Sequence, residues 1–205
     1  MDEALRAGIA LYNAGEYHAA HDPWEAAWLP LESGLNDERL LHGLIQYTAT
    51  IYHARDRNWG GAVGLAASAH EYLTDLPPAY RGVDLHTVRA YLRALAADPE
   101  RIERGSPPPL RLDGKPLAAV DLGLDALALA AAAVAEEYDA FEEATIEAAV
   151  GYAREEAGTG RSAFRTLLID FVDFVDGDRR SVVYDRLSAH VDRRRNEESD
   201  VSGLF

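Results

Sequence analysis

The side chains best suited to chemistry lie in residues 16–28, EYHAAHDPWEAAW. On an ideal helix of about 3.6 residues per turn, His21 and Glu25 fall one turn apart on the same face. A carboxylate at that spacing can orient an imidazole for proton transfer, or both groups can ligate one ion. Tyr17, Trp24 and Trp28 form an aromatic stripe beside them, which lowers the local dielectric and strengthens either effect. His18 and Asp22 sit further round, toward water.

Partners for this pair are expected on a second helix. Residues 40–54, LLHGLIQYTATIYHA, contain no Asp, Glu, Lys or Arg, although 27% of the chain is charged. A helix with no charge on any face is normally enclosed by other helices. Its polar side chains then need partners. His42, Gln46 and His53 share one strip, opposite Leu44 and Ile51, and Gly43, Ala49 and Ala54 admit a close neighbour. The expectation is that His21, Glu25, Gln46 and His53 meet inside the fold, with Tyr17, Trp24 and Trp28 lining the pocket. A metal version would use His21, Glu25 and His53, with His18 or Asp22 in reserve. No spacing demands an ion, so metal-free chemistry ranks first. The residues specify no cofactor: a glycine-rich phosphate loop, a nucleophile elbow and an HExxH pair are all absent. His70, beside Glu71 and Tyr72, reads as structural or exposed.

A structural reading of the same residues stays open. Asp22-Pro23-Trp24-Glu25 also fits a helix start, with Asp as amino cap, Pro in the first helical position and Glu in the third. Pro23 inside one continuous helix would free the carbonyl of Ala19 and cost about 3 kcal/mol. The helix is therefore kinked or restarted there. Likewise, the strip on residues 40–54 can be a hydrogen-bonded network that sets helix register and performs no reaction.

The bulk composition narrows the classes. With 205 residues the chain can build a sizeable core. The absence of cysteine excludes disulfides, zinc–thiolate sites and thiol nucleophiles. The amino-terminal stretch is acidic and amphipathic, unlike a secretion signal, and no apolar run is long enough for a membrane span. A cytoplasmic protein is expected. The net charge of -15 disfavours nucleic acid and anionic membranes as partners. A small-molecule ligand and self-association into a homo-oligomer remain. Lys115 is the only lysine; acidity with Arg in place of Lys fits a halophilic protein or a merely acidic one from a GC-rich genome. The cluster Arg193-Arg194-Arg195 suits a helix carboxyl end.

Helical periodicity dominates. Helices are expected over about 2–12, 16–28, 37–54, 58–73 and 84–97, with Gly15 closing the first, Asn58 capping the fourth and Asp84 the fifth. Further helices are expected over about 124–138, 142–156, 162–175 and 179–196. Between the two sets lies a stiff, proline-rich stretch, with a hairpin or turn expected over 110–115. This divides the chain into a bundle over 1–104, a linker over 105–120 and a helical extension over 121–205. Phe164, Leu167, Leu168, Phe171 and Phe174 repeat at helical spacing and read as core. The last residues, Leu204 and Phe205, are apolar and read as frayed or docked. The fold class is all-α: a bundle of packed antiparallel helix hairpins, faintly like tetratricopeptide hairpins, with a helical carboxyl-terminal extension.

Three blocks in the amino-terminal half carry a resemblance. They are Tyr12-Asn13-Ala14-Gly15-Glu16-Tyr17, then His21-x-x-x-Glu25-x-x-Trp28, then Leu41-x-Gly43-Leu44-Ile45-Gln46 leading to His53. In order and spacing they resemble the family called domain of unknown function 309, over roughly residues 7–75. The resemblance implies a compact all-helical bundle, with His21, Glu25 and Trp28 as functional positions, in a family without a settled activity. Pro23 inside the motif departs from a straight helix. Two functions follow as alternatives. One is an enzyme acting on a small polar molecule, with His21 as base or ligand and Glu25 orienting it. The other is a binding or scaffold module in which the same side chains are structural.

Overall fold

The computed structural model describes residues 1–158, 162–174 and 177–202. Five helices come first: α1 (Asp2–Ala14), α2 (His21–Trp28), α3 (Asn36–Arg55), α4 (Trp59–Thr74) and α5 (Leu85–Ala97). A 3-10 turn over Pro99–Arg104 follows α5. Four helices complete the described chain: α6 (Leu124–Glu137), α7 (Glu143–Glu155), α8 (Ala163–Asp173) and α9 (Gly177–Ser202). The fold is an all-α bundle. None of the described helices is long and apolar enough to cross a membrane.

Local chemistry sets the helix ends. Gly15 closes α1 with φ 97°, its amide reaching the carbonyls of Leu11 and Tyr12, a left-handed conformation that glycine adopts without steric cost. Asn58 and Asp84 cap α4 and α5, accepting from the amides of Gly61 and Thr87. Near Pro23 the chain restarts. Residues 17–20 form turns and α2 begins at His21 behind Ala20, with no side-chain cap. Pro23 therefore sits in the first helical turn, where a missing N–H interrupts no ladder. Asp22 is a helical residue and not the amino cap.

Four two-residue strands form a small antiparallel meander: Ala79–Tyr80, Val83–Asp84, Arg111–Leu112 and Lys115–Pro116. The last pair is the hairpin expected over 110–115. The first pair was not legible, because strands this short carry no periodicity. Tyr80 and Arg81 anchor the meander to α3 through Asp37.

The core runs without interruption from α1 to α9. α3 packs most extensively on α4, α4 on α5, and α1 is sandwiched between α2 and α6. Trp24 is fully buried and donates its indole N–H to the Leu5 carbonyl at 3.2 Å. The close approach depends on Gly8, where a Cβ would lie 2.2 Å from the indole nitrogen. Residues 105–120, a linker by composition, are fastened to α1. Asn13 donates to the carbonyls of Leu110 and Leu117, both at 2.9 Å, and accepts from the Leu110 amide at 2.8 Å. The Tyr12 hydroxyl donates to the Pro108 carbonyl. One asparagine thus satisfies three backbone groups of a segment with few internal hydrogen bonds.

A buried ion pair ties the last helix to the first turn. Arg180, 1% exposed, donates to Glu16 at 2.5 Å and to the Phe171 carbonyl at 3.0 Å. Glu16, 5% exposed, also accepts from the Tyr138 hydroxyl at 2.9 Å. Such a pair tolerates burial only when the remaining polar atoms are also bonded, as they are here. Leu204 and Phe205 lie outside the described residues.

Candidate functional site

Helix α3, uncharged from Leu40 to Ala54, presents its polar strip to α2 and α4, and the result is a chain of hydrogen bonds that begins at Glu38. The Trp28 indole donates to Glu38 Oε1 at 3.0 Å, and the Gly34 amide donates to Glu38 Oε2 at 3.2 Å. His42 Nδ1 lies 3.4 Å from Glu38 Oε1, and Gln46 Nε2 lies 3.0 Å from His42 Nε2. With Nδ1–H turned to the carboxylate, Nε2 accepts from the Gln46 amide. The His42 ring is held between Trp28 and Tyr72, with centroids 4.7 and 4.0 Å away. Burial alone would raise the Glu38 pKa. The donors from Trp28, Gly34 and His42 outweigh it and hold the carboxyl below its ordinary value. Glu38 and Tyr72 were missed as site residues. The four-residue steps Glu38, His42 and Gln46 are the signal that marked one of them.

Each expected site residue can now be placed. Trp24 is fully buried in the core. Tyr17 packs edge-on against Tyr12 and carries the Arg55 guanidinium 4.5 Å above its ring. Trp28 and Gln46 belong to the Glu38–His42 chain. His53 accepts from Asn58 Nδ2 at 2.8 Å and serves the turn between α3 and α4. Glu25 is exposed, and no hydrogen bond or ion pair joins it to His21 among the described residues. His21 lies against α3 near the Ile45 carbonyl. The four side chains His21, Glu25, Gln46 and His53 therefore do not share one hydrogen-bonded centre. Nor do any three His, Asp or Glu among the described residues converge as a metal site. The restart at His21 is the physical reason: it re-aims α2 relative to a continuous helix over 16–28.

A second polar cluster forms where α2 meets the end of α6. His18 Nδ1 lies 2.5 Å from Glu137 Oε2. The His18 ring is 5.5 Å from that of His21 and 5.8 Å from that of Tyr52. Burial, with His18 nearby, pushes the His21 pKa down to about 4, while the Ile45 carbonyl favours its protonated form. His21 Nε2 is buried without a partner. Burial, together with Glu136, Glu137 and Glu25, raises the Asp22 pKa to about 6 against the pull of His18. Neighbouring groups with oppositely displaced protonation are a signature of acid–base sites. Beside this cluster opens a cleft of ≈ 360 Å³ lined by Tyr17, His18, Tyr52, Arg55, Glu137 and Tyr138, among others. The arrangement can orient an imidazole with a carboxylate and offer a polar molecule aromatic walls and one guanidinium.

Sequence reasoning held His18 and Asp22 only in reserve and missed Glu137. Nothing in local spacing could connect residues 119 apart. Residues 5–65 match the family described as "Domain of unknown function (DUF309)". No curated protein matches the chain. The matched stretch runs from α1 into α4 and includes His18, His21, Asp22, Tyr52 and Arg55. Glu137 and Tyr138 lie outside it.

Proposed function

We propose that this protein binds a small polar molecule in the cleft beside His18 and exchanges a proton with it through the His18–Glu137 pair. The 2.5 Å contact between His18 Nδ1 and Glu137 Oε2 at the rim of a cleft carries this reading. Glu137 orients the ring and keeps the proton on Nδ1, so the Nε2 lone pair is left to act as base. His21 is neutral near pH 7 and adds no competing charge. Asp22 and Glu25 supply a negative field that suits a ligand with a hydrogen-bond donor or a positive end. The expected His21–Glu25 partnership is thereby replaced by a pair that spans the two halves of the chain.

A second reading is a non-catalytic helical binding module. It is favoured by the Trp28–Glu38–His42–Gln46 chain, which joins α2 to α3 whether or not a reaction occurs. Ligand-observed NMR against a panel of small amines, amides and polyols separates the two. The expected result is competing hits that perturb His18 and Tyr52, weaken in Tyr52→Ala, and are turned over by the wild type but not by His18→Gln or Glu137→Gln. Binding without turnover supports the module. Hits unaffected by all three variants, or no hits, would sink the cleft as a site.

A further inference from the structure

α9, with 26 residues, is the longest of the described helices, and it carries two stripes. Val183, Leu187 and Val191 are buried against the fold. Val182, Arg186, Ala189 and Arg193 recur at alternating steps of four and three residues, which puts them within about 40° of arc on another face. All four are exposed, Val182 by 51%. Neither arginine forms an ion pair among the described residues. Both line a cleft of ≈ 520 Å³ against α8 whose lining contains no carboxylate. Arg193 belongs to the cluster Arg193-Arg194-Arg195, which does not close a helix, since α9 runs on to Ser202. Arg194 turns the other way, to Glu155 and Glu198.

A complementary surface lies between α6 and α7. It is a groove of ≈ 460 Å³ with an apolar floor of Ala128, Leu129, Ala132, Ile146 and Val150, and Leu129 is 41% exposed. Arg154 and Asp125, paired at 2.9 Å, also line it. Glu143 and Glu147 stand exposed on its α7 wall and form no ion pair among the described residues. Acidic surface is abundant in a chain of net charge -15; the apolar floor is what selects this groove. A trough with free carboxylates along one wall accepts a helix ridge that alternates small apolar residues with arginines, and Ala189 permits a close approach of the two backbones. We infer that α9 of one copy docks in the groove between α6 and α7 of a second copy, with Val182 and Ala189 on the apolar floor and Arg186 and Arg193 facing Glu143 and Glu147. Stripe and groove share no helix, so the contact is heterologous: it repeats from copy to copy and builds a ring or an open chain. Its residues are separate from those of the His18 cleft, and it does not depend on the function proposed there.

The test is sedimentation velocity on the full chain. The wild type should pass from monomer to larger species as its concentration rises to about 100 μM. Arg186→Ala with Arg193→Ala should weaken the association about tenfold or more. Leu129→Lys, which sets a like charge against the arginines, should abolish it. The substituted side chains are exposed, so circular dichroism and the Tm should stay those of the wild type. An equimolar mixture of the two variants should form one-to-one dimers and nothing larger, because one keeps a working groove and the other a working α9. A wild type that stays monomeric overturns the inference and leaves the groove to a helix of another protein. Variants that assemble like the wild type, or a mixture that remains two monomers or grows beyond dimers, overturn it as well.

Discussion

Replacing Arg180 with Met removes the charge that ties α9 to Glu16 and to α8. The guanidinium is 1% exposed and bridges Glu16 to the Phe171 carbonyl. Its loss leaves the Glu16 carboxylate, 5% exposed, with only the Tyr138 hydroxyl, and leaves the Phe171 carbonyl without this donor. Breaking a buried pair on one side costs about 3–5 kcal/mol, because the remaining charge is still desolvated. Against a total stability on the order of 5–15 kcal/mol, that is a large fraction. Removing both charges, as in Arg180→Met with Glu16→Leu, should restore most of the loss. Urea unfolding read by two probes measures both effects. The three tryptophans, Trp24, Trp28 and Trp59, lie in the amino-terminal half, so their fluorescence reports that half, while circular dichroism at 222 nm, an ~α-helical signal, reports every helix. The single variant should bring the dichroism transition to lower urea than the fluorescence transition, because α9 releases first. A loss below about 1 kcal/mol, or a double variant that costs the sum of its parts, would refute the reasoning.

Two further perturbations probe the polar clusters. His21, with its pKa lowered from 6.5 to about 4, contributes stability that is present above pH 6.5 and lost as the pH falls through 4. Asp22, raised from 3.8 to about 6, contributes stability that is present below 3.8 and lost as the pH rises through 6. The two oppose each other, so the wild-type Tm should vary little between pH 4 and 6. Asp22→Asn should fall steeply on acidification and His21→Gln should fall on alkalinisation, with parallel profiles for the two variants as the contrary result. Glu38→Ala should cost about 2–4 kcal/mol, since it strands the Trp28 indole and the Gly34 amide. The Trp28 emission should shift to the red, and a change in Tm of less than a degree or two would show the chain of bonds to be incidental.

Periodicity and caps determined much of this protein in advance. The charge-free run over residues 40–54 announced a helix enclosed by others, and α3 is that helix. Gly15, Asn58 and Asp84 marked helix ends because capping is decided within a few residues of chain. The need to pair His42 and Gln46 was also legible, since a buried polar group demands a partner whatever the fold. His42 finds Glu38 one turn away on the same strip, and Gln46 finds His42.

Tertiary structure alone decided which charges meet. A composition that reads as a linker over 105–120 says nothing of Asn13 reaching across to bond Leu110 and Leu117. Glu16 with Arg180, and His18 with Glu137, are each separated by more than a hundred residues. Helical spacing constrains only side chains within a turn or two, whereas contacts between helices depend on the angle at which each element leaves its loop. The restart at His21 sets that angle for α2, turning Glu25 outward and bringing His18 to the end of α6.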